Sequence, residues 1–268
     1  MTGRAGRLVP LLAALALALG WAGCAEDYYR REARPAATTG PLLRVGVTST
    51  YPPVIFRQEG QFAGIEADLA ALLGIRLGRT VQFVEVPWTG QIDALLGGRT
   101  DIVMSGMSIT DARRVRVAFS QPYFEGGLMA AVRADDKHLY PSPEALLAAP
   151  VTVGVLEGTT GAVFAQRSFP NARRVELSRA SDGALALRRR SIDIFVHDAP
   201  AIAWLVSANE ADVAPIRHYL NREQLAWALR PTDTELLAQV NAALAGWKTD
   251  GTLAGVIGRW LPHLQAAR

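Results

Sequence analysis

Apolar positions along the chain alternate between two spacings. Leu42–Val47 is a short continuous apolar run of the kind that forms a buried strand. After it Ile65, Leu69, Leu72, Leu73 and Leu77 recur at helical spacing, with Asp68 in the first turn. Val81–Val86 predicts the next strand, Ile92–Leu96 the next helix and Asp101–Ser105 another buried strand. The alternation resumes after Pro150 with a strand over Val151–Val155 and a helix near Ala162–Gln166, then a helix over Ala184–Arg190 and a strand over Ile192–Val196. Near the C-terminus, Leu236, Leu237, Val240, Leu244 and Trp247 line one helix face. Strand–helix alternation of this kind predicts open α/β sheets.

Two stretches share one pattern. Residues 92–106 (IDALLGGRTDIVMSG) and 183–198 (GALALRRRSIDIFVHD) both run helix, basic turn, acidic-apolar strand and polar end. They predict two similar half-structures, each presenting polar groups at the carboxyl end of a strand, where open α/β sheets bind ligands.

The N-terminus has a different character. Arg4 and Arg7 precede Leu8–Leu19, an apolar run of twelve residues. That is too short to span a bilayer core of about 30 Å and reads as the apolar region of a secretory signal. Small residues follow, then Cys24, the chain's one cysteine. The placement resembles the lipobox of bacterial lipoproteins, which makes Cys24 a lipidation site and residues 1–23 a removed signal. Ordinary cleavage after Ala25 is the alternative, and it would discard Cys24. Residues 24–41 lack apolar periodicity and read as a lipidated start followed by a flexible tether.

Composition narrows the function. Twenty-eight Lys and Arg face 25 Asp and Glu, and loss of residues 1–23 lowers the balance from +3 to +1. That is too little for a nucleic-acid footprint, which needs a clustered basic face. One cysteine excludes a disulfide framework, and four scattered histidines offer no metal-ligand spacing. No cofactor is expected, since no phosphate loop or dinucleotide fingerprint occurs.

Candidate chemistry sits after the predicted strands. In Ser105–Arg113, Gly106 permits close backbone approach, Ser108 offers a hydroxyl, and Thr110 or Asp111 caps a short helix carrying Arg113. That arginine is either a solvated surface group or a bidentate carboxylate holder. Asp198 is either a helix cap or a ligand group. A catalytic His197–Asp198 pair is not expected, because neighbours on an extended chain point to opposite faces. The Gly158-Thr159-Thr160-Gly161 turn lacks the lysine of a phosphate loop but opens a helix suited to an anion.

These residues carry a resemblance. RVGVTSTYPP (44–53), GIEADLA (64–70), DIVMSGMSITDARRVRVAFSQPYFEGG (101–127), GVLEGTTG (154–161), VHDAP (196–200) and DGTLAGVIGRWL (250–261) follow one another in this chain. In that order they resemble the periplasmic amino-acid-binding proteins of ABC importers, the family-3 extracellular solute-binding proteins. The resemblance implies a two-lobed α/β fold of the periplasmic-binding-protein type II class, with a hinge of two crossing strands and a ligand cleft between the lobes. Lobe one would comprise 42–131 plus 227–268 and lobe two 132–226, with crossings near Ala131-Val132 and Ala226-Trp227.

The resemblance also implies roles. Arg113 would clamp a ligand α-carboxylate, helped by Gly106, Ser108 and Thr160, with Thr159 alongside. Asp198 would receive the α-ammonium, and Tyr51 and Trp88 would wall the side-chain pocket. Thr48 stands where relatives that bind cationic side chains often carry an acid, which argues against arginine or histidine as ligand. The expected function is capture of a small amino acid by hinge closure and delivery to an ABC transporter permease. The protein would be a monomeric lipoprotein anchored at the periplasmic or extracytoplasmic face. The competing reading is an enzyme resembling the secreted cyclohexadienyl dehydratases. Those enzymes carry a catalytic glutamate where Gly161 stands here, which disfavours catalysis. A receptor's sensory domain is a third reading, disfavoured because no membrane span or kinase segment follows.

Overall fold

A computed structural model describes residues 40–262. The expected signal at 1–23, Cys24 and nearly all of the 24–41 tether lie outside the described residues. The predicted alternation yields two five-stranded sheets. The first runs Thr80–Glu85, Leu42–Val47, Ile102–Val103, Ala228–Leu229, Ala118–Phe119, and the second Arg173–Leu177, Thr152–Leu156, Ile194–Asp198, Leu128–Arg133, Val213–Ile216. In each, the first three strands are parallel and the fourth is antiparallel to the third.

The shared sequence pattern turns out to be a shared register. Val45 and Gly46 face Ile102 and Val103 in one sheet, while Val153 and Gly154 face Ile194 and Phe195 in the other. The acidic residue before each strand explains the match. Asp101 donates its amide to Arg44 O and accepts the Arg44 amide on its carboxylate, at 2.7 and 2.9 Å. Asp193 does the same with Thr152, at 2.7 and 2.9 Å. One carboxylate thus satisfies a backbone donor at each sheet's entrance that would otherwise lack a partner.

Helices cover the sheets because their apolar stripes match the strands' buried faces. Ile65–Leu77 buries Leu69 and Leu73, and Thr234–Thr249 buries Val240, Leu244 and Trp247, in one core with Leu43, Val45 and Leu229. Each fully buried leucine there contributes about 1.5–3 kcal/mol relative to exposure. Gly78, at φ 61°, ends the first of these helices, and its amide returns to Gly74 O and Ile75 O. The second sheet is packed on both faces, with Val153, Val155 and Phe169 on one side and Ile192, Phe195 and Ile202 on the other.

Between the sheets the chain crosses twice, in Phe124–Gly126 and Glu223–Leu225, which pair antiparallel as a two-stranded ribbon. Ala131 and Val132, expected at the first crossing, lie inside the second sheet, paired with Phe195 and Ile194. The apolar run Leu128–Val132 hides the crossing in the sequence, because the hinge residues before it carry no alternation of their own. The lobes also touch outside the cleft. Trp204, on helix Ala199–Ser207, packs its ring 5.7 Å from Phe56 and 6.5 Å from Trp260. Among the described residues no helix is long and apolar enough to cross a membrane.

Candidate functional site

A cavity of about 430 Å³ lies between the lobes at the carboxyl ends of their strands. All eight cleft residues singled out from the sequence line it: Tyr51, Trp88, Gly106, Ser108 and Arg113 from the first lobe, Thr159, Thr160 and Asp198 from the second.

The strand predicted over Asp101–Ser105 pairs with its neighbour only over Ile102–Val103. Beyond Met104 the chain turns away into the cleft, with Gly106 at φ 66°. A Cβ on Gly106 would fall 2.3 Å from Tyr51 Cε1, so only glycine allows the Tyr51 ring to seat against this turn. Thr110 then caps the Asp111–Arg114 turn by accepting the Arg113 amide at 3.3 Å. The cap aims the Arg113 side chain back across its own loop. Nη1 donates to Ser108 O at 2.8 Å, and Nη2 reaches Gly158 O of the second lobe at 3.3 Å. The guanidinium also lies 5.1 Å from the Trp88 ring centroid. Arg113 is therefore half-buried and oriented, not a solvated surface group. Burial lowers its pKa, against the negative fields of Asp198 and Glu223.

The second lobe contributes complementary groups. Thr159 caps helix Thr160–Ser168 by accepting the Ala162 amide at 3.2 Å, and its hydroxyl donates to Leu156 O at 2.7 Å. Its side chain is thus committed to holding the turn. The first amides of that helix have no partner within it and open at the cleft, where the backbone dipoles favour an anion. Trp88 fastens across to the same turn, donating from Nε1 to Gly158 O at 3.0 Å.

Asp198 occupies the N-cap position of helix Ala199–Ser207 but makes no side-chain capping bond. Its Oδ2 instead accepts from Tyr51 Oη at 2.6 Å, a contact between lobes. Desolvation, followed by the field of Asp198, raises the Tyr51 pKa well above its ordinary value, so the phenol stays a donor. His197 departs from expectation. It lines the same cavity as Asp198, with Nδ1 3.2 Å from Asp198 Oδ2, although both residues belong to the strand Ile194–Asp198. Nδ1 also accepts the Asp198 amide at 2.7 Å.

Sequence reasoning assigned no role to four carboxylates. Glu157 and Glu176 both line the cleft on the second-lobe side. Glu223, on the hinge ribbon, accepts from Ser108 Oγ at 2.6 Å and Thr160 Oγ1 at 3.0 Å. Glu66 is fully buried under the Gly106 turn and accepts that residue's amide at 2.8 Å and the Trp227 indole at 3.2 Å. Glu66 stands in the GIEADLA stretch, where its flanking apolar residues are a usable sign of burial. Glu223 has no such local sign.

Comparison with known proteins agrees with this geometry. The family model described as bacterial extracellular solute-binding proteins, family 3, matches residues 43–263. The L-cystine-binding protein TcyJ of Escherichia coli strain K12 is 29% identical over 225 residues, covering 82% of this chain and 82% of that protein. ABC transporter arginine-binding protein 1 of the same strain is 27% identical over 235 residues, covering 85% and 93%. Among solved structures, the ancestral amino-acid-binding protein AncCDT-1, a precursor of cyclohexadienyl dehydratase, superposes with a TM-score of 0.77 at 33% identity. That superposition covers 88% of this chain and 98% of AncCDT-1. A two-lobed architecture, a cleft at facing strand ends and a match along nearly all of the described chain lead to one conclusion: the protein belongs to the family-3 bacterial extracellular solute-binding proteins.

Proposed function

We propose that this protein is the extracytoplasmic binding component of an ABC importer and captures a free amino acid, holding the α-carboxylate with Arg113 and the α-ammonium with Asp198. The observation that carries this is the pairing of opposite charges from different lobes across one amino-acid-sized cavity. A zwitterion neutralises both charges only when the lobes approach, so ligand affinity and closure are coupled. Capture of this kind makes and breaks no covalent bond. Gly161 supports binding over catalysis, since it brings no acid or base to the helix start where the dehydratase glutamate would stand.

The remaining charges refine the ligand class. Beyond Arg113 and Asp198, the cleft is lined by Glu157 and Glu176, with no further arginine or lysine. Two surplus carboxylates favour a ligand whose side chain carries positive charge, against the expectation drawn from Thr48. The Thr48 hydroxyl is taken up by Val86 O at 2.9 Å and Gln91 Nε2 at 2.9 Å, so it does not select for a neutral side chain either. Calorimetric titration with L-arginine and its uncharged isostere L-citrulline tests both levels. L-arginine is expected to bind at least tenfold tighter, equivalent to about 1.4 kcal/mol. Equal affinities would remove the charge preference and leave amino-acid capture standing. Absence of binding by every common amino acid would overturn capture itself.

The anchor is part of the same proposal. Lipidation of Cys24 would hold the protein at the membrane surface, provided more than one acyl chain is attached, since a single chain gives marginal binding. Mass spectrometry of the mature N-terminus is expected to show lipidated Cys24. An unmodified chain beginning at Glu26 would refute the anchor.

A further inference from the structure

We propose that Glu223 is a positioning residue for ligand capture: from the hinge ribbon it takes the hydroxyl protons of Ser108 and Thr160, locking one residue of each lobe into the closed arrangement. The inference rests on the cleft being an amino-acid site. Its geometry is independent of which amino acid binds.

Both hydroxyls donate to a single oxygen, Oε2, at 2.6 and 3.0 Å. Ser108 belongs to the first-lobe loop that carries Arg113, and Thr160 begins the second-lobe helix Thr160–Ser168. The other oxygen, Oε1, accepts from Asn221 Nδ2 at 2.8 Å. Asn221 in turn accepts the Leu128 amide on Oδ1 at 2.8 Å, where the second sheet begins. Glu223 therefore ties a residue of each lobe to the strand on which the lobes pivot. Bonds from hydroxyls to a carboxylate are roughly twice as strong as neutral ones, and rotation of either lobe away from the ribbon breaks one of them.

A second consequence concerns polarity. Each hydroxyl has one proton, and here both are directed at Glu223. Toward the cavity Ser108 and Thr160 present only oxygen lone pairs. A ligand carboxylate must then find its donors in the Arg113 guanidinium and the backbone amides of the cleft. The hydroxyls supply position and acceptor sites instead. Glu223 lies behind them and does not line the cavity, so it acts through these two side chains and not on ligand directly.

The test uses the full chain and near-isosteric changes. Glu223→Gln keeps the size of the side chain and removes its charge. L-arginine is the ligand probe, followed by stopped-flow kinetics. The expected result is dissociation faster by about tenfold with association changed less than twofold, because the latch forms after encounter. A packing role alone would lower the melting temperature and leave the dissociation rate in place, which would overturn the proposal. The second arm needs no ligand and leaves Glu223 untouched. Ser108→Ala and Thr160→Val, on opposite lobes, are expected to be non-additive in unfolding midpoint, because they share one acceptor. Strict additivity would overturn the proposal. Wild-type protein that fails to bind L-arginine while retaining that coupling would refute the charge preference and leave the Glu223 link supported.

Discussion

Arg113→Ala weakens amino-acid binding by about 2–5 kcal/mol, or roughly thirty-fold and upward. The loss is large because the guanidinium is oriented before ligand arrives: Thr110 caps its turn, Ser108 O fixes Nη1, and Trp88 lies alongside. Truncation leaves a ligand carboxylate inside a cleft whose other charged side chains are acidic. Much of the loss is thus the cost of an unpaired charge, beyond the worth of the contact removed. Stability should change little, since the turn is held by the Arg113 backbone and not its side chain. Isothermal titration calorimetry measures the first effect and thermal melting the second. A loss of less than a few-fold in affinity would place Arg113 outside the ligand's contacts.

The second large effect concerns Glu66 and pH. Burial raises its pKa from 4.5 to about 8, against the lowering effects of the Tyr123 hydroxyl, the Gly106 amide and the Trp227 indole. Below pH 4.5 the folded and unfolded chains both hold the proton, and the stability tied to it is fully present. Between pH 4.5 and about 8 the folded chain keeps a proton that the unfolded chain has released, so stability falls as pH rises. Across that window the loss amounts to about 5 kcal/mol, a large share of the roughly 5–15 kcal/mol that stabilises a typical domain. Glu66→Gln is expected to remove this dependence and to be clearly more stable than wild type at pH 9. Denaturant unfolding at pH 5, 7 and 9 measures it; parallel curves for the two proteins would overturn the assignment. Because Glu66 holds the Gly106 amide, its ionisation also reaches the floor of the cleft.

Most of the two-sheet architecture was legible in the sequence because it rests on local information. Leu42–Val47 and the 65–77 helix carry their burial in their own spacing, and the acidic residues at 101 and 193 mark strand entrances. The sequence pattern extends the Asp101–Ser105 strand too far because Met104 and Ser105 look like strand while the chain is already turning toward Gly106. The hinge was illegible for a related reason: Phe124–Gly126 and Glu223–Leu225 are defined by pairing with each other, across a hundred residues, and not by any pattern within them. The cleft residues followed the same division. Arg113, Thr159 and Asp198 sit on turns with recognisable caps and glycines. Glu223 depends on partners 115 and 63 residues away, and nothing beside it in the chain announces either.

Residue 40 leads into the first-sheet strand Leu42–Val47, and the last described helix, Thr252–Trp260, packs in the core of that same lobe. The second lobe is therefore an insertion carried on the two ribbon strands, and its Trp204 touches Trp260 near the end of the described chain. A pull, a surface or a fused partner attached before residue 42 bears directly on the first lobe, whereas one attached after residue 260 adjoins the Trp204–Trp260 contact between the lobes. For an immobilised biosensor, attachment before residue 42 loads the first lobe directly and leaves the second clear.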